Sequence, residues 1–301
     1  MKNTIVILNP SAAQGKTILE KDKIESELKK NYIEYELYIS KSAQDIKNAT
    51  IKYINLGYKN FIGVGGDGTM HYIAQNLAGT DCNLGIISSG SGNDIIKTLN
   101  INHDLAENIR IIKQGIVSRI DLGLYNNKIY YIGVANSGFD SEANRFANET
   151  RLPLKGKALY NFAAYKTLLT YKSKIFSLKY DGISRNIDIM MMVVANLKYY
   201  GGGMKIAPGA DAFDNVFDVC VIKKMSKLSF AKSIPKVYEG THLELSTVET
   251  FRTNEVDLDC NAKLDVYGDG EYLGKLPANF KTVPKMLNIF MPQPDKEFKN
   301  K

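Results

Sequence analysis

Apolar positions in the first 120 residues fall into short runs separated by charged stretches of helical period. Thr4–Leu8, Ile33–Ile39, Phe61–Val64 and Leu84–Ile87 read as strands. Thr17–Lys30 and Ala43–Leu56 read as helices between them, and a helix is expected after each glycine-rich turn that ends the last two strands. This βαβα order predicts a parallel sheet covered on both faces. After Arg119-Ile120-Asp121-Leu122-Gly123 the pattern changes to short β-rich runs: Lys128–Ala135, Ser173–Tyr180, Ser184–Ala195, Phe217–Ile222, Val248–Thr253 and Lys263–Tyr267. Only Gly156–Tyr171 and Ser226–Glu239 interrupt them as helices, and Asp181-Gly182 marks a tight hairpin. The expected architecture is an α/β domain over residues 1–121 and an antiparallel β-sandwich over 122–295. The C-terminal segment is free to pack back on the first domain, and the last seven residues, all polar or charged apart from Phe298, are expected to fray.

Composition narrows the class. A chain of 301 residues is comfortable for two domains, and 44% apolar with 24% charged residues is an ordinary globular balance. The longest apolar run, Ile189–Ala195, is far too short to span a membrane. The N-terminus enters a strand directly, without the apolar core and small-residue cleavage site of a secretion signal. Cys82, Cys220 and Cys260 lie far apart without metal-ligand spacing and read as buried or free thiols. A cytoplasmic protein is expected. The net charge of +7, from 39 basic and 32 acidic residues, suits an anionic partner such as ATP or an acidic membrane surface. No basic tract points to nucleic acid.

Three turns carry candidate chemistry. Gly65-Gly66-Asp67-Gly68-Thr69 follows an apolar strand and precedes a helix. Glycines let the backbone approach a ligand closely, and the helix N-terminus favours an anion. Asp67 within the loop would repel a bare phosphate, which points to a metal or hydroxyl nearby; the same residues also suit a plain turn with a capping aspartate. Gly90-Ser91-Gly92-Asn93-Asp94 offers hydroxyl, amide and carboxylate, or simply a helix cap. Asn9-Pro10-Ser11-Ala12-Ala13-Gln14-Gly15-Lys16 is an anion-loop candidate without P-loop spacing. In an open parallel sheet all three turns lie beyond the carboxyl ends of strands and converge on one crevice.

With these turns in view, the chain resembles the diacylglycerol kinase catalytic-domain family, particularly its bacterial soluble lipid kinases, over essentially its whole length. Gly65–Thr69 matches the signature loop, Gly90–Asp94 the second loop, Pro208-Gly209-Ala210-Asp211 with Asp214 the metal segment, and Asp269-Gly270-Glu271 the catalytic turn. The signature loop is shared with nicotinamide-nucleotide kinases and phosphofructokinases. The resemblance implies a first domain like theirs, a β-sandwich lipid-substrate domain and an active site in the interdomain cleft. It implies that Asn9, Ser40, Gly65, Gly66, Asp67, Gly68, Thr69 and Ser91 hold ATP. Asp214 would bind a structural Mg2+, helped by the backbone carbonyls of Asp211 and Val216. Glu271 would be the general base, and Asp67, Asp94 and Asp121 an acidic set organising metal, water and substrate hydroxyl. From the residues alone, Asp269-Gly270 is equally a hairpin turn with Glu271 solvated. The spacing of Asp211, Asp214 and Asp218 independently suits a hard cation.

The departures are specific. Tyr72 stands where the family commonly has Glu, Ser91 where it has Thr, Asn215 where it has Gly, and Ala13 where a glycine is common. Asn tolerates the left-handed conformation, so the turn at Asn215 can survive. The implied reaction is phosphorylation of the free hydroxyl of diacylglycerol or a related lipid, giving phosphatidic acid. The enzyme would touch the inner face of the membrane transiently. Lys16, Lys97, Lys155 and Lys157 are candidates to meet anionic headgroups, or are ordinary solubilising lysines. The stripe Leu159, Phe162, Tyr165 and Leu169 is either a cover for the lipid site or core. The alternatives are a nicotinamide-nucleotide kinase and a catalytically inactive nucleotide-binding regulator. An edge strand of the sandwich offers a homodimer contact.

Overall fold

The computed structural model describes residues 3–90, 92–150, 152, 154 and 156–293, with backbone alone at 156 and 157. The chain divides into two compact units, Met1–Ile120 with Lys285–Lys301, and Asp121–Pro284.

In the first unit β1 (Thr4–Leu8), α1 (Lys21–Lys30), β2 (Glu36–Ile39), α2 (Ala43–Asn55), β3 (Asn60–Gly65), α3 (Asp67–Leu77) and β4 (Asn83–Ser88) alternate. The strands pair in parallel in the order β2-β1-β3-β4. All five residues of β1 are buried, which is why Ile5 to Leu8 form an unbroken apolar run. Two helices follow, α4 (Asp94–Thr98) and α5 (Leu105–Gln114). Asp104 caps α5 by accepting from Glu107 N, and Gly115 ends it at φ 70°. Two of the expected elements are shorter than their pattern. Helix α1 starts at Lys21 because Thr17–Glu20 is a 3-10 turn, and β2 starts at Glu36.

The chain leaves the first unit within β5 (Val117–Tyr125) and returns within β15 (Ala278–Phe290). Asn288 and Ile289 of the returning strand run parallel to Asn83 and Leu84 of β4. Between these crossings the second unit is an antiparallel β-sandwich with helices against one layer. Its elements are β6 (Ile129–Tyr131), β7 (Val134–Gly138), α6 (Phe139–Glu149), α7 (Gly156–Thr170), β8 (Lys174–Tyr180), β9 (Ile183–Ala195) and β10 (Phe217–Lys223). Then come α8 (Lys227–Glu239), β11 (Val248–Thr253), β12 (Glu255–Cys260), β13 (Asp265–Gly268) and β14 (Glu271–Lys275). The expected single strand over 128–135 is two, because Ile132 and Gly133 form a break between β6 and β7. The β8–β9 hairpin turns at Asp181 and Gly182, with φ of 47° and 76°, as the Asp-Gly pair requires.

Two apolar clusters form the core of this unit. One joins Tyr131, Phe176, Phe217, Val256 and Phe280 between the layers, and the other lies under the helices around Phe139, Met190, Val193 and Phe230. Gly123 opposes Tyr131 across β5 and β6, where an added Cβ would lie 2.1 Å from the tyrosine ring.

One buried acid stands among the helices. Asp140, in the first turn of α6, accepts a hydrogen bond from the Tyr160 hydroxyl of α7. Burial pushes its pKa from 3.8 up to about 6, while the tyrosine bond pulls it down. Such a group binds its proton more tightly folded than unfolded, so it weakens the fold as pH rises from 3.8 through about 6. Asp140→Asn keeps the shape and removes the charge. The variant is expected to exceed the parent in denaturant unfolding by up to about 3 kcal/mol near pH 8, and to match it near pH 4.

Candidate active site

In the first unit the expected nucleotide residues cluster at the carboxyl ends of the parallel strands. Asn9, just past β1, donates from Nδ2 to Thr69 Oγ1 at 3.0 Å and accepts from Ser11 N at 3.1 Å. Ser40, just past β2, is buried, and both its N–H and its hydroxyl donate to the Leu8 carbonyl. Gly66 precedes α3 in an extended conformation, so the loop feeds straight into an eleven-residue helix whose N-terminal dipole end favours an anion. The second loop presses against the first. A Cβ on Gly90 would stand 2.6 Å from the Gly66 Cα, so glycine is required there by contact rather than by torsion.

Asp67 fastens these loops together. Its two oxygens accept the N–H groups of Asp94 and Ile95, both at 3.1 Å. It is thus a capping aspartate, but for α4 rather than for its own helix. Its charge is engaged by main-chain donors, which reduces its repulsion of a phosphate in the same loop. Asp94 is buried and meets Lys97 Nζ at 3.3 Å; the same ammonium donates to the Gly92 carbonyl at 2.7 Å. Lys97 is therefore tied into its own loop rather than extended toward a headgroup. Asn93 takes the left-handed conformation and closes on the Gly90 carbonyl at 2.7 Å. Ser91 lies outside the described residues. Tyr72 sits on α3 with Lys47 Nζ 5.1 Å above its ring.

The first loop is strained. Ala13 and Gln14 both sit at positive φ, 50° and 60°, where a side chain crowds the following carbonyl.

In the second unit the acids fall into two groups. Glu271 opens β14 after a turn with Asp269 at φ 54° and Gly270 at φ 83°. Asp269 is not idle: its carboxylate accepts from Ile132 N at 2.8 Å, Gly133 N at 2.7 Å and Val134 N at 3.3 Å. The break between β6 and β7 therefore has a purpose, since its free amides anchor the turn that presents Glu271. Asp121 is buried and accepts from Asn215 N at 2.7 Å. Asn215 takes φ 58°, the left-handed turn that asparagine permits.

Asp211 and Asp214 close short turns on Phe213 N and Val216 N, at 3.1 and 3.2 Å. Asp214 is also paired with Arg252, whose Nε approaches Asp218 at 3.4 Å. Burial raises the Asp218 pKa, with the Asp214 charge adding to the rise and Arg252 opposing it. Among the described residues no group of three or more His, Cys, Asp or Glu side chains is arranged to hold a metal. The expected set draws instead on one carboxylate and two carbonyls.

Comparison with known proteins agrees with this layout. Residues 3–125 match the diacylglycerol kinase catalytic domain family, and residues 133–291 the YegS C-terminal NAD kinase beta sandwich-like domain. A diacylglycerol kinase of Mycobacterium tuberculosis (strain ATCC 25618 / H37Rv) is 30% identical, with 95% of this chain and 94% of that one covered. The chain belongs to the diacylglycerol kinase family. Membership makes it a lipid kinase. A diacylglycerol kinase of Bacillus subtilis (strain 168) is 26% identical over 97% of both chains. A solved diacylglycerol kinase of Bacillus anthracis str. Sterne shares the fold at TM-score 0.75 and 20% identity, covering 97% of each chain. Another structure from that organism reaches 0.81 at 21% identity, with 97% of this chain and 95% of that one covered.

For this lipid kinase, sequence reasoning passed over two residues of the second unit. Asn196 is buried at the end of β9 and donates to the carbonyls of Asp121 and Ile132, at 2.9 and 2.7 Å. Its main-chain N–H donates to Gly133 O at 2.8 Å. The 132–134 loop is thus gripped by Asp269 through its N–H groups and by Asn196 through its carbonyls, and Asn196 extends the grip to Asp121. The available signal was a lone amide closing the apolar run Ile189–Ala195. Arg252 is the other omission, and its spacing from Asp214 gave no local cue.

Two outcomes follow. Ala13→Gly is expected to raise stability by about 1 kcal/mol in chemical denaturation by relieving the left-handed alanine. Asn196→Ala is expected to cost about 2–3 kcal/mol, because two carbonyls lose their donor. Combined with Asp269→Ala, it should cost less than the sum of the two single losses by at least about 0.5 kcal/mol. Additive losses would mean that the two side chains do not act as one clasp.

Proposed function

We propose that this enzyme transfers the γ-phosphoryl group of ATP to the free hydroxyl of diacylglycerol or a related lipid alcohol, phosphatidic acid being the product in the first case. The observation that carries the reading is the loop pair locked by Asp67. It supplies a glycine-lined strand end leading into a helix N-terminus in a chain of the lipid-kinase family. Asn9, Ser40 and Gly65–Thr69 cradle the nucleotide, with Ser91 completing the set from outside the described residues. Main-chain N–H groups meet the phosphates, and the Asn9–Thr69 bond fixes the loop that offers them. Glu271 accepts the acceptor hydroxyl's proton as its oxygen forms the new bond to phosphorus and ADP departs. Asp94 and Asp121 order water and the acceptor.

The donor chemistry at Asp214 suits Mg2+. Two neighbouring carboxylates, Asp214 and Asp218, share one exposed arginine as counter-charge, and a hard cation prefers oxygen ligands. Asp214 with the carbonyls of Asp211 and Val216 would hold the ion in a structural role, its charge tying the turn together through oxygen ligands. The enzyme acts in the cytoplasm and meets its substrate at the inner membrane face. Among the described residues no helix is long and apolar enough to cross a membrane.

Labelled ATP is to be offered with mixed micelles of a lipid-alcohol panel and, separately, with the nicotinamide dinucleotide. Label is expected only in the lipid fraction, and labelled dinucleotide alone would overturn the reading. Glu271→Gln is expected to lower kcat by about 100-fold or more while ATP affinity stays within about twofold. Undiminished turnover would remove Glu271 from the role of base.

A further inference from the structure

The first loop of the nucleotide set has little apolar surface to hold it. Of residues 9–20, Thr17 alone is buried, and Leu19 is 81% exposed. Yet Ala13, Gln14 and Gly15 all stand at positive φ, at 50°, 60° and 88°. Three consecutive left-handed residues, two of them not glycine, persist only where their surroundings over-determine them. The determinant is a pair of hydroxyls. Thr17 Oγ1 donates to the Ala12 carbonyl at 3.0 Å, just ahead of the left-handed residues, and lies 2.8 Å from Ser89 Oγ. A hydroxyl has one proton to give and two lone pairs to receive with. With the Thr17 proton committed to Ala12, Ser89 must donate, so the bonds run from Ser89 to Thr17 to Ala12.

Ser89 is itself fixed. It follows β4, and its main-chain N–H donates to the Gly65 carbonyl at 3.0 Å, at the head of the signature loop. The three loops of this unit are therefore joined pairwise. Asn9 bonds Thr69, which ties the first loop to the signature loop. Asp67 binds the amides of Asp94 and Ile95, which ties the signature loop to the second loop. Ser89 and Thr17 tie the second loop back to the first. The hydroxyl pair is the link that closes the ring. Loops held from two sides have less freedom left to lose when a ligand arrives than loops held from one.

We propose that Thr17 and Ser89 are positioning residues for the nucleotide, their hydroxyls closing the ring and holding the first loop in the shape that receives ATP. The role rests on the ATP reading above, while the hold on the loop is measured without a ligand. Hydrogen exchange of the full chain reads the loop. Ser89→Ala and Thr17→Val are each expected to speed exchange of the amides of residues 12–16 about fivefold or more, with those of α3 unchanged. Equilibrium dialysis with labelled ATP is expected to show affinity about fivefold or more weaker in both variants, as for a loop that spends about a fifth of its time or less in the binding shape. Adding Ser89→Ala to Thr17→Val should weaken binding no further, because the pair is already broken. Thr17→Ser keeps the hydroxyl and is expected to stay within about twofold of the parent. In turnover, KM for ATP is expected to rise while kcat and KM for the lipid stay within about twofold, the mark of lost uniform binding. Parental ATP affinity in both variants, with only thermal unfolding lowered, would reduce the pair to packing and overturn the proposal. Should Thr17→Val not fold, Ser89→Ala decides alone, since Ser89 is half-buried and its loss empties no core site. A parent that binds no ATP would end the ATP reading, and exchange at residues 12–16 equal in parent and Ser89→Ala would overturn the hold on the loop whatever the ligand.

Discussion

Carboxylates that accept main-chain N–H groups hold both units of this protein in working order. Asp67 binds two amides of the neighbouring loop in the first unit, and Asp269 binds three amides of a strand break in the second. Loops rich in glycine have much conformational entropy to lose, and ordinary side-chain packing offers them little in return. A charge-assisted bond to a main-chain donor is short, directional and roughly twice as strong as a neutral one. It fixes the backbone itself, which is the part of a phosphate-binding loop that must be fixed. The same oxygens also give partners to donors that would otherwise be buried alone.

This arrangement bears on how acids near a phosphate are read. An aspartate in a glycine loop suggests a metal when only its charge is considered. Once the loop is folded, the competing donors nearest to it are its own neighbours' amides. Asp67, Asp121 and Asp269 each accept from backbone nitrogen, and Asp214 accepts from Val216 N besides meeting Arg252. The acids of this chain therefore organise main chain first, and any ligand chemistry is built on loops they have already shaped.

The fold was largely legible in the sequence for a physical reason. Parallel strands buried on both faces are apolar nearly throughout, as Ile5 to Leu8 of β1 are, and an Asp-Gly pair between alternating runs leaves a hairpin little choice. Boundaries were less legible where the chain changes conformation without changing composition. The 3-10 turn at Thr17–Glu20 has a helical pattern, and the break at Ile132-Gly133 sits in a continuous β-like run. Of the candidate site, the glycine loops were visible because contact and torsion demand glycine. The partners of Asp67, Asp269 and Asn196 were not, because backbone amides belong to every residue type and leave no mark in composition. The outward turn of Tyr165 and Leu169 was hidden for a related reason: a helical apolar stripe has the same spacing whether it meets core or something else.

The passage of the chain through β5 and back through β15 makes Asp121–Pro284 an insertion within the first unit. On the ribosome, β1 to β4 emerge before the inserted unit, and the strand that runs beside β4 emerges after it. The β4 edge stays unpaired while the inserted unit is made, an open template for another chain. Completion of the first unit thus waits on the whole of the inserted unit, and a nascent chain released before residue 288 lacks the strand that closes that edge. Synthesis order therefore imposes an all-or-nothing character on the first unit that its compact α/β pattern alone would not reveal.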